Sequence, residues 1–237
     1  SPILPLYLLD NYDTIDVVTY LDSDLCFFSS PELIYQELND QSILITEHRF
    51  PPKLKRLSVW GRFNVQYLSF RNDTQGRECL LRWRDQCLEW CYDRLEDGKF
   101  ADQKYLDEWS NLYDRLVILK LRGAGVAPWN WSGSVIEIIE NRMRVDGEPL
   151  VFYHFHGLQV IKRFLINHGL SKYKIMPNRH LRWLYGEYVR ELKRTVEWLK
   201  GRNITAPAMG HSILRNKSSK LFSLYAGLRK RDLILIN

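Results

Sequence analysis

Two hydrophobic rhythms divide the chain. Residues 16–21, Asp-Val-Val-Thr-Tyr-Leu, form a short and nearly all-apolar β-rich run, the pattern of a strand covered on both faces. Residues 42–46 and 63–70 read as two further strands, and residues 116–119 as a fourth. Between them, Ser30-Pro31-Glu32 predicts a helix start, with serine as cap and proline at the first helical position. Residues 76–95 carry Leu80, Trp83, Cys87, Leu88, Cys91 and Leu95 at helical spacing, which predicts a helix with one buried face. A short helix is expected around 102–109 and a loop over 123–130. Residues 150–154 read as a strand, and 135–140 as a strand or a helix. The last long periodic segment, residues 178–200, sets Leu181, Leu184, Tyr185, Tyr188, Leu192, Val196 and Leu199 on one stripe, with Arg and Lys opposite. Strands alternating with helices over the first two-thirds predict an α/β sheet.

Charge divides the chain unevenly. Residues 171–237 hold 15 Lys+Arg against 4 Asp+Glu, a net of +11, whereas residues 1–170 hold 19 against 24, a net of −5. A mildly acidic body followed by a basic extension points to an anionic partner for the extension. The overall composition, 45% hydrophobic and 26% charged, is that of an ordinary globular protein. No apolar run reaches the roughly 20 residues needed to cross a bilayer. Cys26, Cys79, Cys87 and Cys91 show no paired metal-site spacing, so small buried thiols in a reducing, cytoplasmic compartment are expected.

Asp22-Ser23-Asp24 is the sharpest local feature. Alternate side chains on an extended backbone share a face, so both carboxylates can aim at one point just beyond the end of a strand. That is where open α/β sheets bind ligands. Two hard oxygen ligands suit Mg²⁺ or Mn²⁺, and such an ion can act as Lewis acid on a diphosphate leaving group. The alternative is an exposed turn with two solvated aspartates.

The stretch Tyr20-Leu-Asp-Ser-Asp-Leu-Cys-Phe-Phe-Ser29 resembles the metal-binding segment of glycosyltransferases with the GT-A fold, above all the family 8-like enzymes and the nucleotide-diphospho-sugar transferase group. Phe70-Arg71-Asn72-Asp73, Phe100-Ala-Asp-Gln-Lys-Tyr-Leu106 and Tyr153-His-Phe-His-Gly157 are similar to later family segments and follow in the same order. The resemblance spans roughly residues 3 to 165. It implies a GT-A-type mixed sheet flanked by helices over residues 1–170, and leaves a helical basic extension over 171–237. In the family, the first strand–helix units that cradle the nucleotide base precede the segment at which Ser1 stands. An N-terminally shortened domain with weakened nucleotide binding is therefore expected.

The resemblance further implies transfer of a sugar from a nucleotide-diphosphate donor, most simply a UDP-sugar, to a glycan or lipid-linked acceptor, with retention of anomeric configuration. Asp22 and Asp24 would hold Mn²⁺ or Mg²⁺, joined by His154 or by His156, which fills a variable position of the family's segment. Lys162 would contact phosphate, in place of the family's Lys-Pro-Trp. Asp102 would bind sugar hydroxyls or act as base, and Gln103 would line the face where the new bond forms; capping of a helix N-terminus is the alternative for Asp102. Asn72 and Asp73 would touch donor or acceptor, or simply make a turn. Residues 47–50 and 127–130 would flank the cleft on loops, with Trp129 stacking on a sugar or packing in the core.

The basic extension suits docking at an anionic membrane surface, placing the protein peripherally on the inner face; the alternative packs its stripe on the body. Three other functions compete. They are a metal-dependent phosphoesterase or nucleotidyltransferase, an inactive transferase relative, and a basic nucleic-acid-binding domain. Nucleic acid is disfavoured, because the aromatics are spread through the acidic body.

Overall fold

The computed structural model describes residues 1–162, 165–204 and 232–235, the side chains of 161, 162, 234 and 235 excepted. It divides into two compact units, Ser1–His154 and Phe155–Asn237, so the division falls upstream of the expected boundary at residue 170.

The first unit opens with helix α1 (Ile3–Asn11), strand β1 (Val17–Leu21), strand β2 (Leu25–Phe27), helix α2 (Glu32–Leu38), strand β3 (Ile43–Glu47) and strand β4 (Phe63–Arg71). Helix α3 (Thr74–Glu89), helix α4 (Trp109–Leu112) and strand β5 (Leu116–Ile118) follow. Four strands form a mixed sheet in the order β1-β4-β3-β5, parallel only between β3 and β5. Strands β6 (Ile136–Ile139), β7 (Arg142–Val145) and β8 (Glu148–Pro149) make a separate meander, and β9 (Phe152–His154) pairs with β2. The expected mixed α/β sheet flanked by helices is therefore present.

Two cores lie against the sheet, and the period-two alternation of strand side chains sorts residues between them. Ile43 and Ile45 join Phe63, Phe70, Trp83, Leu106 and Trp109 in one core, whereas Leu44 joins Ile34, Leu38, Tyr67 and Phe152 in the other. β1 is an edge strand in which only Val18 is fully buried, not the doubly covered strand expected from its apolar run.

One irregularity in the sheet matters for the site. Ile43 and Leu44 face Phe70 and Ser69, but Thr46 and Glu47 face Asn64 and Phe63, so the β3–β4 register slips between Leu44 and Thr46. Bulges of this kind re-aim side chains and cluster beside functional sites. Gln66 sits in the bulged stretch.

Helix α3 is capped by Asp73, whose side chain accepts from the Gly76 N–H at 2.9 Å. It ends at Glu89, short of the expected residue 95. The Tyr105 hydroxyl donates to the Trp90 carbonyl at 2.7 Å and lies 3.2 Å from that of Gln86, which accepts from the Trp90 N–H. Asp97 and Gly98 then turn the chain back through positive φ, with Glu96 and Lys99 bridged. Leu88 and Leu95, at 70% and 42% exposed, fall off the buried face.

The second unit contains β10 (Gln159–Lys162), β11 (Leu165–Asn167), helix α5 (Arg179–Lys200) and β12 (Leu233–Leu235), with β11 central in a three-stranded antiparallel sheet. Asn178 caps α5 by accepting from the Leu181 N–H at 3.0 Å. The expected apolar stripe is buried only in the first half of α5, at Leu181, Leu184, Tyr185, Tyr188 and Val189. No described helix is long and apolar enough to cross a membrane.

Candidate metal centre

Asp22 and Asp24 follow directly on β1, and β2 continues from Leu25. Because β2 pairs antiparallel with β9, Leu25 stands opposite His154, and the sheet register itself brings the histidine to the aspartates. His154 Nε2 lies 2.9 Å from Asp24 Oδ1 and 3.9 Å from Asp22 Oδ2. The His154 side chain is 4% exposed, against 22% for Asp22 and 41% for Asp24, so the site is a buried imidazole behind two progressively wetter carboxylates.

The other ring nitrogen, Nδ1, is 3.0 Å from Gln66 Oε1 inside the protein. An amide oxygen only accepts, so Nδ1 carries a proton, and Nε2 is the nitrogen that would meet a cation beside the aspartates. A ring protonated on Nδ1 and bound through Nε2 is what a metal-ligating histidine needs, with the partner that typically fixes it. Gln66 is fully buried, and the Asp22 N–H donates to its backbone carbonyl at 3.1 Å. The same residue thus touches both arms of the site. Sequence reasoning missed it, although a glutamine and an asparagine two apart (Asn64, Gln66) inside an otherwise apolar strand were a visible signal.

The surrounding shell is stiff. The Trp129 ring packs edge-on to His154 (5.1 Å) and to His48 (5.2 Å), and is 3% exposed, which makes it a packing residue rather than an open sugar platform. The His154 N–H donates to Val126 O at 2.8 Å. The loop over 123–130 is buried throughout, an arrangement that strands backbone polar groups unless they are paired. Asn130 supplies the pairs: its Nδ2 donates to His48 O and Gly125 O, and its Oδ1 accepts from the Ala127 N–H. Gly125 has φ +70°, and a Cβ there would stand 2.8 Å from both Arg49 Nη2 and Thr46 Cγ2, so glycine is required.

Burial pushes the Asp22 carboxyl above its ordinary pKa; the His154 charge and the Tyr20 hydroxyl, donating at 3.0 Å, pull the other way. Burial likewise pushes Tyr20 up to about 12, keeping it a neutral donor.

Of the remaining candidates, Asp102 lies on the Asp22 side. The Ser1 hydroxyl bridges it, at 2.6 Å from Asp102 Oδ2 and 3.3 Å from the Tyr20 hydroxyl. Asp102 caps no helix; its carbonyl accepts from Trp83 Nε1 at 2.8 Å, which ties the segment to α3. Gln103 is buried with both amide atoms engaged, Oε1 by Asn64 (2.7 Å) and Nε2 by Trp60 O (3.0 Å). Asn72 and Asp73 stand near the start of β1, where the Asn72 N–H donates to Asp16 O. Their side chains bind Ile15 O, Gly76 N–H and Ser42, which caps and braces α3. His156 belongs to the second unit, where it is exposed with its ring 6.4 Å from Tyr173. The Lys162 side chain lies outside the described residues.

Asp24 Oδ1 and His154 Nε2 stand as two ligands of a divalent cation would, with Asp22 Oδ2 farther out at 3.9 Å from Nε2. The 2.9 Å Nε2–Oδ1 separation is that of neighbouring ligands around an ion held at about 2.1 Å. The nitrogen ligand favours a transition ion such as Mn²⁺ over Mg²⁺.

No protein-family model matches the chain. It is 27% identical over 200 residues to the uncharacterized protein YfnD of Bacillus subtilis (strain 168), covering 83% of this chain and 64% of that one. It is 33% identical over 171 residues to the uncharacterized protein YfnF of the same strain, covering 68% and 56%. The chain thus spans under two thirds of either relative. Among solved structures it is similar to the galactosyltransferase LgtC in complex with donor and acceptor sugar analogues, at 16% identity and a TM-score of 0.47, covering 86% of this chain and 68% of that one. It is also similar to the glycosyltransferase GlyE of Streptococcus pneumoniae TIGR4, at 20% identity and a TM-score of 0.36, covering 55% and 30%. Both scores lie below one half, so the functional reading rests on the site residues.

Proposed function

We propose that this chain is catalytic sequence of a metal-dependent glycosyltransferase of GT-A type, related to the family 8-like enzymes. The convergence of Asp22, Asp24 and the Nε2 of His154, with the tautomer set by Gln66, carries the proposal. These three residues would hold Mn²⁺, or Mg²⁺ less well; His156, two residues on, is retained as a further ligand candidate on sequence alone. The bound ion supplies Lewis-acid stabilisation of a departing nucleoside diphosphate. Asp102, beside Tyr20 and Asp22, would bind hydroxyls of the transferred sugar, and Lys162 a phosphate. Gln103, held by Asn64 and Trp60, would support that wall from behind. A UDP-sugar is the proposed donor, a glycan or lipid-linked molecule the acceptor, and retention the stereochemical course.

Calorimetry tests this with Mn²⁺ alone, then UDP or GDP in the presence of Mn²⁺, on the wild-type chain and Asp24→Ala. Saturable Mn²⁺ binding and nucleotide binding that needs it, both lost in the variant, are expected. Nucleotide hydrolysis without transfer to any sugar acceptor would favour a phosphoesterase instead. The basic extension is proposed to hold the protein peripherally at an anionic membrane, through the less buried second half of α5, where Trp198 is 54% exposed. Co-sedimentation with phosphatidylserine vesicles that is indifferent to salt and to Trp198→Ala would refute that docking.

A further inference from the structure

A cavity of about 290 Å³ opens in the first unit beside the backbone that positions His154. Val126 lines it, and the Val126 carbonyl is the acceptor for the His154 N–H. Asn130, which braces the buried loop, lines it too. Arg49 and Arg122 line the cavity, and no acidic residue does. Phe50, Pro51 and Pro52 form an apolar wall, and Phe50 is fixed by stacking on His48 at 4.5 Å.

The two arginines differ in how far they are neutralised. Arg49 donates to the carbonyls of Leu121 (3.2 Å) and Ala124 and makes no ion pair among the described residues. Arg122 pairs with Asp146 through Nε, at 2.9 Å. Asp146 also accepts from the Val135 N–H, and Glu148 accepts from the backbone N–H groups of Arg122 and Gly123. Asp146 is thus divided between Arg122 and a backbone amide, and Glu148 is turned to backbone amides. Burial, and then the like charge of Arg122, pull Arg49 down to about 10. An anion entering the cavity would relieve that repulsion and find a guanidinium fork ready for an oxyanion.

We propose that this cavity binds an anionic sugar, one ring bearing a carboxylate or a phosphate, as the acceptor-side ligand of the transferase. The acceptor role rests on the proposed function; the anionic sugar rests on the cavity alone. The apolar wall suits the C–H face of a pyranose ring and the two arginines its charge. At the lower limit of small-molecule pockets, the volume suits one ring rather than a chain of them.

Binding of glucuronic acid, glucose 6-phosphate, inorganic phosphate and glucose is measured by calorimetry at low salt in EDTA, without nucleotide. At least one anionic sugar should bind tenfold or more tightly than glucose and than inorganic phosphate. Which of the two binds assigns carboxylate or phosphate as the charged group. Arg122→Gln should weaken that binding at least fivefold. Gly133→Met should weaken it with both arginines intact, because a side chain there enters the cavity mouth and its Cβ meets only Pro51 at an ordinary 3.6 Å. Binding no better than glucose, or binding indifferent to both variants, overturns the proposal, as does inorganic phosphate matching glucose 6-phosphate. Mn²⁺ and UDP titrations on the same samples separate the two readings. If they succeed while the sugars fail, only the cavity proposal is lost; if the sugars bind and the titrations fail, the transferase reading is lost and the cavity stands.

Discussion

Replacing Gln66 by leucine separates a metal-positioning role from a structural one. In the wild type, Gln66 Oε1 holds the His154 Nδ1–H at 3.0 Å, while Gln66 Nε2 is buried without a hydrogen-bond partner. Gln66→Leu leaves the Nδ1–H unpaired, at a cost of about 1–3 kcal/mol, and removes an unpaired amide whose burial cost a similar amount. The side chain is fully buried and leucine is of like size, so the two terms nearly cancel in folding stability. Metal affinity has no such compensation. A free imidazole rotor no longer presents Nε2, and loss of an outer-shell partner lowers affinity about 10- to 100-fold, equivalent to about 1.4–2.7 kcal/mol. Mn²⁺ titration followed by electron paramagnetic resonance reads the affinity, and thermal unfolding in EDTA reads the stability, where 1 kcal/mol is about 2–4 °C for a chain of this size. Gln66→Glu, which keeps an acceptor at the same place, should restore most of the affinity. Unchanged Mn²⁺ affinity in Gln66→Leu would refute the reasoning; so would an affinity loss matched by a melting drop beyond about 6 °C, which would mark Gln66 as structural.

His154→Ala should weaken Mn²⁺ binding by more than the roughly 100-fold of an outer-shell change, and more than His156→Ala does in the same titration. Asp73→Ala should lower stability by about 1–2 kcal/mol in urea unfolding, through loss of the α3 cap and of the Ser42 hydroxyl's acceptor, with Mn²⁺ affinity unchanged. Retained stability with lost metal would return Asp73 to the site. Burial raises the Asp22 pKa, and metal needs the carboxylate ionised, so Mn²⁺ affinity should begin to fall on acidification at a higher pH than an ordinary carboxylate near about 4 would dictate. Tyr20→Phe, which removes a hydrogen bond favouring the ionised form, should move that break to still higher pH. In EDTA the sign for folding reverses: the raised pKa contributes stability at low pH that is lost as pH rises through it.

The two halves of the metal centre differ in how far sequence reaches them. Asp22-Ser23-Asp24 was legible as a local pattern, although Ser23 and Asp24 stand in the turn between β1 and β2 and not on the extended backbone expected for them. The capped start of α5 at Asn178 and the course of β3, β4 and β5 were likewise legible. The edge position of β1, the early end of α3 at Glu89 and the capping duty of Asp73 were not. Each depends on a partner far along the chain: β4 for β1, Tyr105 for α3, Ser42 for Asp73. Gln66 makes the point most sharply. Its amide is inert as sequence; it acquires a role because the β3–β4 register slips and because β9 returns beside β2 to set His154 against it. Local propensity and side-chain period are properties of short segments and can be read from them. Which buried donor meets which acceptor is decided by strand register across a sequence separation of 88, and only the folded structure carries that information.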